Sequence, residues 1–172
     1  GALTESLIKF ETPMQLIEMD SKFVKYWKEQ GLEVMEGDAL RVNWSELIED
    51  ETLLVSNLPY QISSSIVIDR SCDKKSLMGM VLMFQKEVAV RITSEDSSKE
   101  YGLLSVLAQS FWDISVVVDA GPNDFFPPPK ISSRVLGFKS KPCDVDPRRF
   151  LGFIKQAFQQ RRKLLSKNIS SH

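Results

Sequence analysis

Hydrophobic positions along the chain fall into short apolar runs and into stretches where apolar residues recur every three or four positions. Short runs are typical of buried strands, and the longer period is typical of amphipathic helices. The predicted strands are residues 14–20, 32–35, 52–56, 78–84, 114–118 and 135–138. The predicted helices are residues 21–30, 43–49, a segment containing 66–68, 85–92, 102–111 and 147–165.

Strands that alternate with helices predict an α/β protein built from βαβ units, with a mostly parallel sheet. The last two predicted strands are separated by Pro127-Pro128-Pro129 instead of a helix, so we expect an antiparallel edge there. Ser21 is a plausible N-cap for the first of these helices, and Gly31 is expected to end it.

Composition changes the picture mainly by exclusion. The chain has 172 residues, of which 42% are hydrophobic and 26% charged, which excludes a disordered or collagen-like chain. No apolar run approaches the ~20 residues of a membrane span, and the N-terminus lacks a secretory pattern, so we expect a cytoplasmic protein without a membrane partner. Cys72 and Cys143 are expected to be reduced. The single histidine is His172, so we expect neither a metal site nor histidine catalysis.

Charge is balanced over the whole chain but not along it. Residues 1–133 hold 12 Lys/Arg and 21 Asp/Glu, net −9, whereas residues 134–172 hold 10 Lys/Arg and 2 Asp/Glu, net +8. This asymmetry is typical of a basic surface that meets phosphates, and equally of solvated helix ends. The candidate RNA-binding residues in this region are Arg148, Arg149, Arg161, Arg162 and Lys163.

Polar side chains follow three successive predicted strands. Glu18 (with Asp20), Asp38 and Asn57 are spaced 20 and 19 positions apart, about one βα unit each. Ligands of open parallel sheets bind beyond the carboxyl ends of the strands, so these side chains are expected to meet in one crevice. A carboxylate there suits a ribose diol, although each acid alone could equally be a surface residue or a helix N-cap.

The segment Asn57-Leu58-Pro59-Tyr60 is suited to handling an exocyclic amine. An amide oxygen and an adjacent backbone carbonyl can accept the two amine protons of adenine. Proline holds the backbone rigidly there, and an aromatic ring offers a stacking face. The alternative is an ordinary turn after a strand.

Read together, several motifs in order resemble the KsgA-type rRNA small-subunit adenine N6-dimethyltransferase family. They are GALTE, IEMD, GDAL, SNLPYQIS, MFQKEVAVRI, SKEYGLLSVLAQ and FFPPPKISS. The resemblance implies a Rossmann-like methyltransferase sheet followed by a small helical domain. It also implies the cofactor S-adenosylmethionine, and N6 of adjacent adenosines in small-subunit ribosomal RNA as the target. On this basis we expect a methyltransferase domain over residues 1–140, the start of a helical domain over residues 141–172, and a monomer.

The resemblance also implies roles for individual residues. Expected cofactor-binding residues are Gly1, as the last glycine of the cofactor loop, Glu18 at the ribose, Asp38 and Ala39 at the adenine, and Asn57. Expected catalytic residues are Asn57, Leu58, Pro59, Tyr60 and Phe125. Phe125 opens the run F-x-P-x-P-x-I-x-S, which ends at Ser133, and resembles a second aromatic that packs on the target base. Gln85, Lys86 and Glu87 resemble a segment that flanks the site.

Some features depart from the family pattern. Only the final glycine of a G-x-G-x-G loop is present, so the first strand is expected to be missing, and Leu103 stands where an arginine is common. The sequence therefore looks like a piece lacking both ends. Three alternatives remain open: a large-subunit rRNA methylase, a DNA adenine methylase and, for this piece, a non-catalytic RNA-binding module.

Overall fold

The computed structural model describes residues 1–49, 51–73 and 77–169. The helices are α1 Ala2–Leu7, α2 Ser21–Glu29, α3 Trp44–Leu47, α4 Tyr60–Ser71, α5 Lys86–Ile92, α6 Leu103–Phe111, α7 Pro147–Ala157 and α8 Leu165–Ile169. The strands are β1 Gln15–Glu18, β2 Glu33–Glu36, β3 Leu53–Ser56, β4 Gly79–Gln85, β5 Trp112–Ala120 and β6 Ser133–Ser140. Short 3₁₀ turns occupy Ile8–Phe10 and Pro122–Asp124. The predicted alternation of strands and helices is confirmed.

Two compact units divide the chain after Glu49. The N-terminal unit, Gly1–Glu49, contains β1 paired in parallel with β2. Its core consists of Val24 and Trp27 from α2 and Val34 from β2. The expected boundary between a methyltransferase domain, residues 1–140, and a helical domain, residues 141–172, is a separate division of the chain and stays a prediction.

The second unit contains a four-stranded sheet in the order β3-β4-β6-β5. The β3–β4 pair is parallel, and β6 pairs antiparallel with both β4 and β5, which confirms the predicted antiparallel edge. β4 lies inside the sheet and is buried along nearly its whole length, as its continuous apolar run predicts. Gly79 permits this packing, because a Cβ there would lie 2.6 Å from the Phe138 carbonyl oxygen on β6.

Hydrogen bonds from side chains satisfy backbone groups at the ends of α2 and α7. Asp20, not Ser21, is the N-cap of α2, since its side chain accepts from the backbone N–H of Lys22. Gly31 ends the helix as predicted, with φ of +83°. The helix predicted over residues 147–165 ends at Ala157, and the side-chain amide of Asn168 donates to the carbonyls of Ala157 and Gln160 beyond its last turn.

No helix among the described residues is long and apolar enough to span a bilayer. Cys72 and Cys143 are both free thiols. Burial and the nearby Asp69 raise the pKa of the Cys72 thiol, which makes it a weak nucleophile. His172 lies outside the described residues.

Candidate functional site

The Asn57–Tyr60 segment connects the end of β3 to the start of α4. Asn57 is exposed, Leu58 is buried, and Pro59 immediately precedes the helix. The Pro59 carbonyl accepts a 3.1 Å hydrogen bond from the Ile62 N–H, so it belongs to the first turn of α4. Among the described contacts the Leu58 carbonyl has none. The segment therefore offers an exposed side-chain amide and one adjacent backbone acceptor.

Tyr60 is half-buried, so its ring is not sealed inside the core. Its phenol oxygen lies 2.9 Å from the Oγ of Ser133, the fully buried first residue of β6. The two residues are 73 positions apart in sequence. The ring therefore lies where the start of α4 meets the start of β6, with its hydroxyl group satisfied.

Phe125 lies on the loop that connects β5 to β6. It follows the 3₁₀ turn Pro122–Asp124, is half-buried, and donates its backbone N–H to the Pro122 carbonyl at 3.3 Å. Its neighbour Phe126 is fully exposed. In the described part of the chain no ring contact joins Phe125 to Tyr60. Phe125 is nevertheless linked to Tyr60 through the chain, because the run that begins at Phe125 ends at Ser133, the hydrogen-bond partner of Tyr60.

Glu18 and Asp20 follow β1 in the N-terminal unit. One carboxylate oxygen of Glu18 accepts from the backbone N–H groups of Met19, at 2.8 Å, and Asp20, at 2.9 Å. These bonds fix the carboxylate, and its second oxygen makes no contact among the described residues. Asp20 caps α2, which is the structural role that the sequence left open for an acid at this position.

Asp38 and Ala39 lie in the turn after β2. The Gly37 N–H donates to the Glu18 carbonyl at 2.9 Å, which continues the β1–β2 pairing to the carboxyl ends of the two strands. One oxygen of Asp38 accepts from the Leu40 N–H, and the other lies 3.6 Å from Nε of Arg41. The Ala39 carbonyl accepts from the indole N–H of Trp44. The ends of β1 and β2 therefore lie side by side, and the expected meeting of the Glu18 and Asp38 side chains stays a prediction.

A common crevice for Glu18, Asp38 and Asn57 stays a prediction. The first two residues belong to the N-terminal unit and Asn57 belongs to the second, and each unit is described by itself. Gly1 is exposed and precedes the short helix α1, which the hydrophobic pattern did not predict. Its cofactor contact also stays a prediction.

A charged cluster beside Ser133 was not predicted from the sequence. Asp119 on β5 accepts from Arg134 on β6 and from Lys86, whose Nζ lies 3.1 Å away. Hydrogen bonds from Arg134 and then Lys86 hold the pKa of the Asp119 carboxyl far below its usual range. The same bond raises the pKa of Arg134. The β5–β6 register brings Asp119 and Arg134 together, and Lys86 reaches them from the start of α5, so no local signal could have found this cluster.

The flanking segment Gln85–Glu87 has structural contacts. Gln85 ends β4 and pairs in register with Ser133, and the Lys86 N–H donates to the Ser132 carbonyl at 3.0 Å. Glu87 forms an i,i+4 ion pair with Arg91 along α5. This segment therefore anchors the start of β6.

The basic C-terminal residues differ in their surroundings. Arg148 and Arg149 are exposed in the first turn of α7. Positive charge is unfavourable at a helix N-terminus, so the helix-end explanation fails for this pair. Arg161 is also exposed and donates from Nη2 to the carbonyls of Lys99 and Tyr101, and its expected RNA contact stays a prediction. Arg162 and Lys163 are exposed.

Residues 1–49, 51–73 and 77–169 contain no candidate metal site. No group of three or more His, Cys, Asp or Glu side chains there could hold an ion.

Comparison with known sequences gives matches over the whole chain. The profile of the ribosomal RNA adenine dimethylase family matches residues 1–172. A ribosomal RNA small subunit methyltransferase A from Bdellovibrio bacteriovorus is 56% identical over 172 residues, which cover 99% of the chain and 63% of that protein. The protein of the same name from Syntrophotalea carbinolica is 39% identical over 178 residues, covering 99% of the chain and 67% of that protein. The chain thus spans about two thirds of the length of these relatives.

Solved structures share the fold. A dimethyladenosine transferase from Plasmodium falciparum superposes with a TM-score of 0.78 at 25% identity, over 90% of this chain and 58% of that one. The 23S rRNA methyltransferase ErmE superposes with a TM-score of 0.68 at 19% identity, over 90% and 65% of the two chains, a likeness in fold alone. The expected Rossmann-like methyltransferase fold is confirmed.

Proposed function

The chain belongs to the ribosomal RNA adenine dimethylase family, and we propose that the protein containing it methylates N6 of adenosines in small-subunit ribosomal RNA during ribosome biogenesis. The cofactor is S-adenosylmethionine. The observation that carries the proposal is the Asn57–Tyr60 segment at the end of β3, with an exposed amide, an available backbone carbonyl and a half-buried aromatic ring.

Asn57 and Leu58 hold the target amine. The lone pair of the adenine amine is delocalised into the ring, which makes the amine a poor nucleophile. The Asn57 side-chain oxygen and the Leu58 carbonyl accept its two protons and favour a tetrahedral nitrogen with a localised lone pair. The Leu58 carbonyl takes this role because the Pro59 carbonyl already accepts from Ile62. Pro59 fixes the backbone dihedral angle between them and α4.

Tyr60 and Phe125 hold the target base. An adenine reaches such a site only when it is splayed out of its RNA stack, and an aromatic face compensates for the lost stacking by about 1–3 kcal/mol per base. Tyr60 provides that face, and Phe125 closes the site from the β5–β6 loop. Nucleophilic attack then needs no side-chain base, since the alkylated amine loses its extra proton readily to water.

The N-terminal unit has residues that fit S-adenosylmethionine, which supplies a methyl group activated by the cationic sulfur. A carboxylate that is fixed by two backbone N–H groups and keeps a second oxygen free suits a ribose diol, and Glu18 meets that description. Asp38 and Ala39 would lie at the adenine, and Gly1 and Asn57 would contact the methionine end. Positioning of this kind can lower the activation free energy by several kcal/mol.

RNA binding falls to the basic C-terminal region, and we place the reaction in the cytoplasm with the small ribosomal subunit as partner. Arg148, Arg149, Arg162 and Lys163 are exposed there and would contact phosphates. Arg161 would contact phosphates from a fixed position, because its Nη2 donates to the carbonyls of Lys99 and Tyr101. Binding of this type weakens steeply with added salt through counterion release.

The test is to map methylation by the full-length protein. Unmethylated small-subunit particles, large-subunit particles and duplex DNA are each incubated with isotope-labelled S-adenosylmethionine, and modified nucleotides are identified by mass spectrometry. N6-methylated adenosine confined to small-subunit RNA is the expected result. Labelling of large-subunit RNA or DNA instead would establish one of the alternatives, and RNA binding without transfer would indicate a non-catalytic module.

A further inference from the structure

The hydrogen bond between Tyr60 and Ser133 joins the two segments that carry the aromatic residues of the site. Tyr60 begins α4, and Ser133 ends the run that starts at Phe125. The oxygen–oxygen distance is 2.9 Å, a normal length for two hydroxyl groups. The bond therefore fixes the far end of the Tyr60 ring relative to the β5–β6 loop.

Ser133 is a rigid anchor. Its backbone pairs in register with Gln85 on β4 and with Ala120 on β5, and the residue is fully buried. Its two neighbours are also held. The Ser132 carbonyl accepts from the Lys86 N–H, and the Arg134 guanidinium donates twice to Asp119. Three consecutive residues are thus secured by three different elements.

Tyr60 needs such an anchor more than a core tyrosine does. Its backbone is fixed by α4, but its ring is only half-buried, so packing leaves part of it open to solvent. A hydroxyl partner that cannot move holds the phenol oxygen in place, which restricts rotation about χ1. Because the hydrogen-bonding directions of a phenol group lie close to the ring plane, the same bond favours one orientation of the ring about χ2. Stacking on a base depends on the orientation of the ring plane, and a ring held in that orientation does not lose rotamer freedom on binding.

We propose that Ser133 is a positioning residue, whose hydroxyl group holds the Tyr60 ring in the orientation that stacks on the target adenine. This inference rests on the proposed function. It separates the two halves of Tyr60: the ring contacts the base, and the hydroxyl group fixes the ring. Loss of either hydroxyl group therefore lowers the turnover rate by the same mechanism.

A double-mutant cycle in the full-length protein tests this. Ser133→Ala, Tyr60→Phe and the double variant are assayed for kcat and for KM of S-adenosylmethionine on unmethylated small-subunit particles. Each variant is expected to lose about fivefold in kcat with KM of the cofactor unchanged, and the double variant is expected to lose no more than either single variant. Ser105→Ala removes another fully buried serine hydroxyl, which contacts the Arg91 carbonyl instead, and is expected to keep the wild-type kcat.

The outcomes separate the two proposals. If the wild type is active but the losses in the cycle multiply, or Tyr60→Phe keeps the wild-type kcat, Ser133 has only a structural role and the inference is overturned. If Ser133→Ala folds poorly, Tyr60→Phe alone still tests the role of the hydrogen bond, because it removes the phenol hydroxyl group and keeps the aromatic ring. A wild type that labels no ribosomal RNA overturns the proposed function itself, and the inference with it.

Discussion

Asp119 and Arg134 face each other across the β5–β6 pair, and both carboxylate oxygens of Asp119 accept from the guanidinium, at 2.5 Å from Nε and 2.9 Å from Nη2. This two-bond geometry is the strongest arrangement available to an Arg–carboxylate pair. It ties the edge strand to its neighbour one residue beyond Ser133. The charged pair therefore lies directly beside the residue that we propose holds the Tyr60 ring.

The first prediction concerns pH. The pKa of Asp119 is lower in the folded chain than in the unfolded chain, where it is about 3.9. Its contribution to stability is therefore present above about pH 4 and is lost as the pH falls further toward the folded pKa. Urea unfolding of the wild type and Asp119→Asn is expected to show a stability difference at pH 6 that shrinks below pH 4.

Asp113→Asn is the matched control, since Asp113 lies on the same strand in a longer, 4.0 Å ion pair with Lys141. A stability difference for Asp119→Asn that stays constant from pH 6 to pH 2 would show that the Arg134 pair does not govern the titration.

The second prediction concerns the core of the second unit. The indole N–H of Trp112 donates to the Ser71 hydroxyl at 2.8 Å, and both side chains are buried. Ser71→Ala leaves that N–H without its acceptor and is expected to lower the free energy of unfolding by about 1–3 kcal/mol. Urea titration measures it, with the half-buried Ser65 of the same helix as control. Equal effects of Ser71→Ala and Ser65→Ala would contradict the role of this bond.

The third prediction separates RNA binding from helix stability. Arg148 and Arg149 lie at the N-terminus of α7, where positive charge is unfavourable. The double variant Arg148→Gln/Arg149→Gln is expected to keep or slightly raise stability. It is also expected to weaken RNA binding and to reduce the slope of log K against log salt by about 1 per arginine.

Lys25→Gln is the control for this variant, because Lys25 is an exposed cation on α2 in the N-terminal unit. Binding isotherms at four salt concentrations give the slopes. An unchanged slope in the double variant would exclude phosphate contacts at this end of α7.

The sequence predicted most of the elements because their signals are local. The run that predicted β4 is almost continuously apolar since the strand is buried inside the sheet, and the proposed chemistry of the Asn57–Tyr60 segment lies in four adjacent residues. Features that depend on distant residues were missed. The helical period continues past the end of α7 at Ala157, where the Asn168 amide, eleven positions away, satisfies the last carbonyl.

The surroundings of the site show the same limit. Ser133 was visible only as the end of a motif, and its bond to Tyr60 depends on how β6 pairs with β4. The same holds for Asp119 and Arg134, which meet through the β5–β6 register. From the sequence, the acceptor beside Asn57 could be named only as an adjacent backbone carbonyl. Our proposal assigns it to Leu58, because the Pro59 carbonyl accepts from Ile62 in the first turn of α4.

The most direct test of the central claim is the single-turnover methylation rate of Asn57→Ala in the full-length protein, on unmethylated small-subunit particles. Asn57 is exposed, so the substitution is expected to change the free energy of unfolding by no more than about 0.5 kcal/mol. Gln30→Ala, another exposed amide, serves as control. We expect a loss of at least about 100-fold in the rate for Asn57→Ala alone, the scale seen when a positioned polar group is removed from a reacting centre. A wild-type rate in Asn57→Ala would contradict the account.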